Sequence, residues 1–209
     1  TVVEAMVAHP ALRRVNFTGS TKVGKLIALT CAKYLKQAVL ELGGKAPFVV
    51  LDDADVDAAV AAATFAAFAN SGQICMSAER IIVDEAVADG FIAKLADRAQ
   101  SLPLGDPRKG PVVLGSVVDM STVERCNALI DDALAKGAKL VCGGKATDTL
   151  MPATLLDNVT PEMRIFREET FAPVKAIVRV KGVEAAVACA NDNEFGLAAA
   201  VFGKDTARA

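Results

Sequence analysis

Pro47-Phe48-Val49-Val50-Leu51 is the stretch on which the architecture of this chain turns. An unbroken apolar run of this kind fits a strand buried on both faces of a parallel sheet. Asp52-Asp53-Ala54-Asp55 follows at once and supplies capping carboxylates for a helix from about Val56 to Ala69. A strand that runs directly into a capped helix predicts a crossover to a parallel neighbour, expected at Arg80 to Val83.

Working outward, the same alternation continues in both directions. Upstream, Arg13 to Thr18 is a strand-like run ending at Gly19, and Lys22 to Tyr34 has helical spacing of Val23, Leu26, Ile27 and Thr30. Gln37 to Leu42 is a second short strand, closed by Gly43-Gly44. Downstream, helices are expected at Val87 to Gln100 and Ser121 to Lys136, then a strand at Lys139 to Val141. Extended Ala153 to Leu156 and a long loop around Phe166 to Pro173 lead to a strand at Lys175 to Val180. Helix Val183 to Ala190 and strand Leu197 to Phe202 complete the pattern. The expected fold class is α/β, a mainly parallel sheet with helices on both faces. One boundary is indicated, at Gly43-Gly44, giving domains of residues 1–43 and 44–209.

Composition narrows the function. The chain has 209 residues, 53 % of them apolar, with 23 Lys and Arg against 25 Asp and Glu. A net charge of −2 lacks the positive excess that phosphate backbones require, so no nucleic-acid partner is expected. No apolar stretch approaches the ~20 residues of a membrane helix, and Ala58 to Ala69, interrupted by Thr64, reads as a buried helix. Five Cys without a C-x-x-C pair and the lone His9 supply no metal cluster. Free thiols and the absence of a leader pattern point to the cytoplasm. With no starting Met, the chain is expected to be a piece of a longer protein.

A few places carry candidate chemistry. Gly19-Ser20-Thr21-Lys22-Val23-Gly24 occupies a strand-to-helix turn, where free backbone N–H groups and the helix dipole favour a phosphate. Thr21 stands where the dinucleotide fingerprint has its second Gly, and the turn reads equally as a place where Gly24 lets helix pack on strand. Glu41 has three open readings: a ribose-binding acid, a general base with a raised pKa, or a capping glutamate. Cys75 lies in the loop Asn70-Ser71-Gly72-Gln73-Ile74-Cys75-Met76 and is the candidate thiolate nucleophile, whereas Cys31, Cys126, Cys142 and Cys189 read as small buried hydrophobes. The loop Glu168-Glu169-Thr170-Phe171-Ala172-Pro173 either ends a strand in solvent or offers a carboxylate to a sugar and a ring to a heterocycle. Phe65 and Phe68 read from periodicity as helix core, the other reading being an apolar tunnel shared with Met76.

Taken in order, Phe17-Thr18-Gly19-Ser20-Thr21, Glu41-Leu42-Gly43-Gly44-Lys45, Gly72-Gln73-Ile74-Cys75, Glu168-Glu169-x-Phe171-x-Pro173 and Ala190-Asn191-x-x-x-x-Gly196-Leu197 resemble the aldehyde dehydrogenase superfamily. The wording from Gln73 to Asp84 is similar to that of bacterial aromatic-aldehyde dehydrogenases acting on salicylaldehyde, vanillin or benzaldehyde. The resemblance implies that Cys75 is the nucleophile and Glu41 the base that activates water against a thioester. It further implies NAD as cofactor, NADP not being excluded, with Gly19, Ser20 and Gly24 at the pyrophosphate and Glu169 with Phe171 at the nicotinamide ribose and ring. A small-molecule aldehyde is the implied substrate, and a homo-oligomer the implied state at full length. Residues 1–43 then correspond to the end of a cofactor-binding domain and 44–209 to an incomplete catalytic domain. The 209 residues alone are expected to lack activity. A semialdehyde or acylating enzyme of the same superfamily, or an inactive relic of its scaffold, are the alternative readings.

Overall fold

The computed structural model describes all residues from Thr1 to Ala209. They divide into two units, Thr1–Gly43 and Gly44–Ala209. In the first, the short helix α1 (Val2–Ala8) starts at Thr1, whose hydroxyl accepts a hydrogen bond from the Glu4 N–H. Strands β1 (Arg14–Thr18) and β2 (Gln37–Glu41) pair in parallel, with Thr18 opposite Glu41. Helix α2 (Thr21–Lys33) makes the crossover between them. Its buried stripe of Gly24, Ile27 and Cys31 follows the helical period and, with Val7 of α1, forms the small core of this unit.

The second unit is built on a six-stranded sheet in the order β5-β6-β7-β4-β3-β8. Strands β3 (Pro47–Val50), β4 (Arg80–Asp84), β6 (Thr154–Asp157), β7 (Val174–Val180) and β8 (Ala200–Phe202) run parallel, and β5 (Lys139–Cys142) pairs antiparallel with β6. Side chains alternate between the two faces. Phe48, Val50, Ile81, Val83 and Ile177 pack on one side against α3 (Val56–Phe68) and α4 (Glu85–Gln100). Val49, Ile82, Ala176 and Val178 pack on the other against α5 (Met120–Ala135), the short α6 (Arg164–Arg167) and α7 (Val183–Asn191). Helices therefore cover both faces of a mainly parallel sheet, the arrangement that the apolar run at Pro47 predicts.

Local chemistry sets the ends of the elements. Asp55 accepts from the N–H groups of Asp57 and Ala58 and so begins α3. Asp84 accepts from the Ala86 N–H, and α4 therefore starts at Glu85, two residues ahead of the sequence expectation. Asp119 does the same for α5 through the Thr122 N–H. Phe68 is fully buried, whereas Phe65, one turn earlier on α3, is 76 % exposed, so only one of the two is core. Cys31, Cys126 and Cys142 are buried as expected, and Cys189 is half-buried. No helix is long and apolar enough to cross a membrane.

Candidate active site

The loop carrying Cys75 begins where α3 stops. Asn70, Ser71 and Gly72 take consecutive left-handed backbones, with φ of 50°, 58° and 72°. Outside glycine such a conformation costs ~1–2 kcal/mol per residue, so the surroundings must hold it in place. The Ser71 hydroxyl accepts from the Gly115 N–H at 2.9 Å, and the Gln73 amide donates to the Ser116 carbonyl at 3.3 Å. A Cβ on Gly72 would lie 2.5 Å from the Ala172 carbonyl oxygen, which reserves that position for glycine. The chain then turns, Ser77 N–H donating to the Ile74 carbonyl at 2.9 Å, and Cys75 sits half-buried at the bend. The backbone is thus fixed while the thiol stays reachable.

Gly44 lies against this turn: a Cβ there would be 2.5 Å from the Cys75 carbonyl oxygen. Its N–H donates to Glu169 Oε1 at 2.9 Å. Burial pushes the Glu169 carboxyl above its ordinary value, while the Gly44 N–H pulls the other way. Two residues on, Phe171 has a left-handed backbone with φ of 45° and leaves its side chain partly exposed. The structure therefore brings Cys75, Gly44 and Glu169 together at the start of β3, β4 and β7.

Beneath them lies a buried ionic cluster that the sequence reading missed. Lys45 Nζ donates to Glu79 Oε2 at 2.8 Å, and Lys175 Nζ lies 3.2 Å from Glu79 Oε1, all three side chains being essentially inaccessible. Burial would raise the Glu79 carboxyl, but the Lys175 and Lys45 ammoniums and the Thr170 N–H overcome it and hold it down to about 2. Burial pulls the Lys45 ammonium below its ordinary value. A signal was available for Lys175, which interrupts the apolar strand run Val174 to Val178, where a charge must be paired or exposed. What periodicity cannot supply is which distant charge does the pairing.

The remaining candidates lie in the first unit. Ser20 caps α2, its hydroxyl accepting from the Val23 N–H at 3.4 Å. No acid occupies the first turn, so the free amides and the helix dipole fit an anionic phosphate there. Gly24 packs on β2's exit, a Cβ falling 2.5 Å from Leu42 Cδ2, and Gly19 closes the turn with its N–H on the Glu41 carbonyl. Glu41 is exposed at the end of β2. Met76 lines a cavity of about 70 Å³ with Phe48, Ala66, Ala78 and Ala200. Neither Phe65 nor Phe68 lines this space. A cavity of about 620 Å³ beside α1, lined by Met6, His9 and Leu12, offers no nucleophile with a carboxylate.

Known proteins share this fold. A family model described as the aldehyde dehydrogenase family matches residues 1–209. A vanillin dehydrogenase of Pseudomonas fluorescens is 56 % identical over 208 residues, covering 100 % of this chain and 43 % of the relative. The crystal structure of a salicylaldehyde dehydrogenase from Pseudomonas putida G7 complexed with salicylaldehyde superposes with a TM-score of 0.97 at 49 % identity, over 99 % of this chain and 43 % of that one. An NADP-dependent glyceraldehyde-3-phosphate dehydrogenase from Bacillus halodurans C-125, complexed with NADP, gives a TM-score of 0.94 at 38 % identity, over 100 % of this chain and 43 % of that one. The chain spans 43 % of the length of the curated vanillin relative. With the match running from its first residue to its last, the chain belongs to the aldehyde dehydrogenase family.

Proposed function

We propose that the complete polypeptide oxidises an aromatic aldehyde to its carboxylic acid through an acyl thioester on Cys75. The single observation that carries this reading is the Cys75 turn, a reachable thiol on a backbone fixed by Gly115, Gly44 and the left-handed residues before it. A nicotinamide dinucleotide, NAD or NADP, is the hydride acceptor when bound. Ser20 with the first-turn amides of α2 holds its phosphates, Gly19 and Gly24 shape that turn, and Glu169 and Phe171 hold its ribose and ring. Residues 1–43 are then the end of the cofactor-binding domain and residues 44–209 the catalytic domain.

The Cys75 thiolate adds to the aldehyde carbon and forms the C–S bond, its own N–H donating to the developing oxyanion. Loss of hydride from that adduct leaves the thioester. Glu41 removes a proton from water, which attacks the acyl carbon; the C–S bond breaks and the thiolate is restored. The pairing of Glu41 with Cys75 rests on the family match over residues 1–209, which includes both the Glu41-Leu42-Gly43-Gly44-Lys45 and the Gly72-Gln73-Ile74-Cys75 stretches. An acyl-transferring enzyme has no need of such a base, so its presence favours water. The aromatic substrate rests on the similarity to vanillin and salicylaldehyde dehydrogenases.

The test uses the complete enzyme with salicylaldehyde and NAD. Cys75→Ala should lower kcat by at least about a thousandfold, and Glu41→Gln should give a burst of NADH followed by turnover slowed on the order of 10²–10⁴-fold. Oxidation by Cys75→Ala at the parent rate would overturn the assignment.

A further inference from the structure

The most organised polar feature outside the proposed catalytic pair is the buried carboxylate of Glu79. It accepts five hydrogen bonds: from Lys45 Nζ, the Thr170 N–H, the Thr170 hydroxyl, the Phe171 N–H and Lys175 Nζ. These donors come from three separate pieces of chain, the entry to β3, the loop 168–173 and strand β7. Glu79 itself stands four residues after Cys75, with its N–H on the Ala46 carbonyl at 3.0 Å. Lys45 adds a bond to the Glu168 carbonyl at 2.7 Å, and Arg125 binds the Thr170 carbonyl at 2.6 Å. Every polar backbone group of Thr170 is thus held, and the loop is locked to the segment that carries Gly44.

Burying three charges is a poor way to gain stability, because a well-packed apolar trio of similar volume does as well or better. What the ionic trio supplies is geometry. The bonds from the Thr170 and Phe171 N–H groups to one fixed carboxylate hold Phe171 in a left-handed backbone that an aromatic residue otherwise avoids. With that backbone set, the Phe171 side chain stays partly exposed and Glu169 rests on the Gly44 N–H, beside Cys75.

We propose that Glu79 is a positioning residue for dinucleotide binding, setting Glu169 and Phe171 at the nicotinamide site relative to the Cys75 turn. This rests on the reading of Glu169 and Phe171 given under Proposed function. Glu79 touches neither the substrate nor the cofactor; it acts through the loop it fastens.

The experiment compares Glu79→Gln with the parent in the complete enzyme by three readouts. Circular dichroism establishes that the variant is folded. Calorimetry should show NAD binding weakened by about fivefold or more, and aldehyde oxidation should fall on the order of 10- to 100-fold, the size of effect a small misplacement produces. Hydrolysis of an activated ester, which acylates Cys75 without any dinucleotide, should change by less than about threefold. Unchanged NAD affinity, or equal losses in oxidation and ester hydrolysis, would overturn the proposal. Should Glu79→Gln fail to fold, Thr170→Val removes one bond to the carboxylate at nearly constant volume. It should show the same split in smaller measure, and its absence counts against the proposal. Failure of the Cys75 reading shows separately, as ester hydrolysis persisting in Cys75→Ala, and leaves the calorimetric result for Glu79 standing.

Discussion

Gly72 illustrates how one residue holds the site together. Its φ is +72°, and any Cβ would lie 2.5 Å from the Ala172 carbonyl and 3.0 Å from Lys175 Nζ. Gly72→Ala is therefore expected to cost ~2–4 kcal/mol, from left-handed strain plus a displaced carbonyl. Urea denaturation of the complete protein checks this, and a change below ~0.5 kcal/mol, the size of an ordinary surface effect, would contradict it. As a candidate, Cys75 stands out in the sequence because it sits in a Gly-containing loop, away from the apolar patterns that hold three buried cysteines. Lys45, Glu79 and Lys175 do not. Their partners lie 34 and 96 positions apart, and nothing local in a sequence pairs charges across such distances.

Among the elements, the end of α7 is fastened in part by a buried guanidinium. Arg80 of β4 donates to the carbonyls of Cys189, Ala190 and Asp192, satisfying acceptors that a helix end leaves open, while the Phe166 ring lies 4.8 Å away. Arg80→Met keeps much of the volume and removes every donor. The expected cost is ~1–3 kcal/mol, because three carbonyls each lose a charge-assisted bond while keeping a second donor, the Asp192 N–H, the Asn193 amide and Arg167 respectively. Hydrogen exchange across α7 should accelerate accordingly, and unchanged protection there would count against this role. Boundaries of other elements were legible to within a few residues where Asp55, Asp84 and Asp119 cap helices. The short helix α1 was not read at all, since its seven residues carry too little periodicity to stand out. Phe65 was misread for a related reason: α3 is so rich in Ala that its apolar residues do not define one face.

For the whole molecule, alternation of strands and helices made the parallel sheet legible, because parallel neighbours need crossovers. The order β5-β6-β7-β4-β3-β8 was not legible, nor was the antiparallel β5, since order is decided by packing between distant segments. Burial of the Glu79 cluster at the middle of this sheet also has a consequence for acid stability. A carboxyl held down to about 2 in the folded state contributes stability that is complete above the unfolded value near 4.5 and is lost as pH falls through the folded one. Between those limits about 3 kcal/mol should disappear from the unit spanning residues 44–209. Denaturant titrations at pH 5 and pH 3 should read about 2 kcal/mol of this, the rest being lost below pH 3. In Glu79→Gln this part of the acid dependence should vanish, and an unchanged slope would show that the carboxylate is not the source.

On the proposed mechanism, an acyl group rests on Cys75 until water, activated by Glu41, removes it. The complete Glu41→Gln enzyme, mixed with NAD and salicylaldehyde and quenched in acid, should yield a Cys75 peptide carrying one hydroxybenzoyl group by mass spectrometry. An unmodified Cys75 in enzyme that has already made a full equivalent of NADH would contradict it.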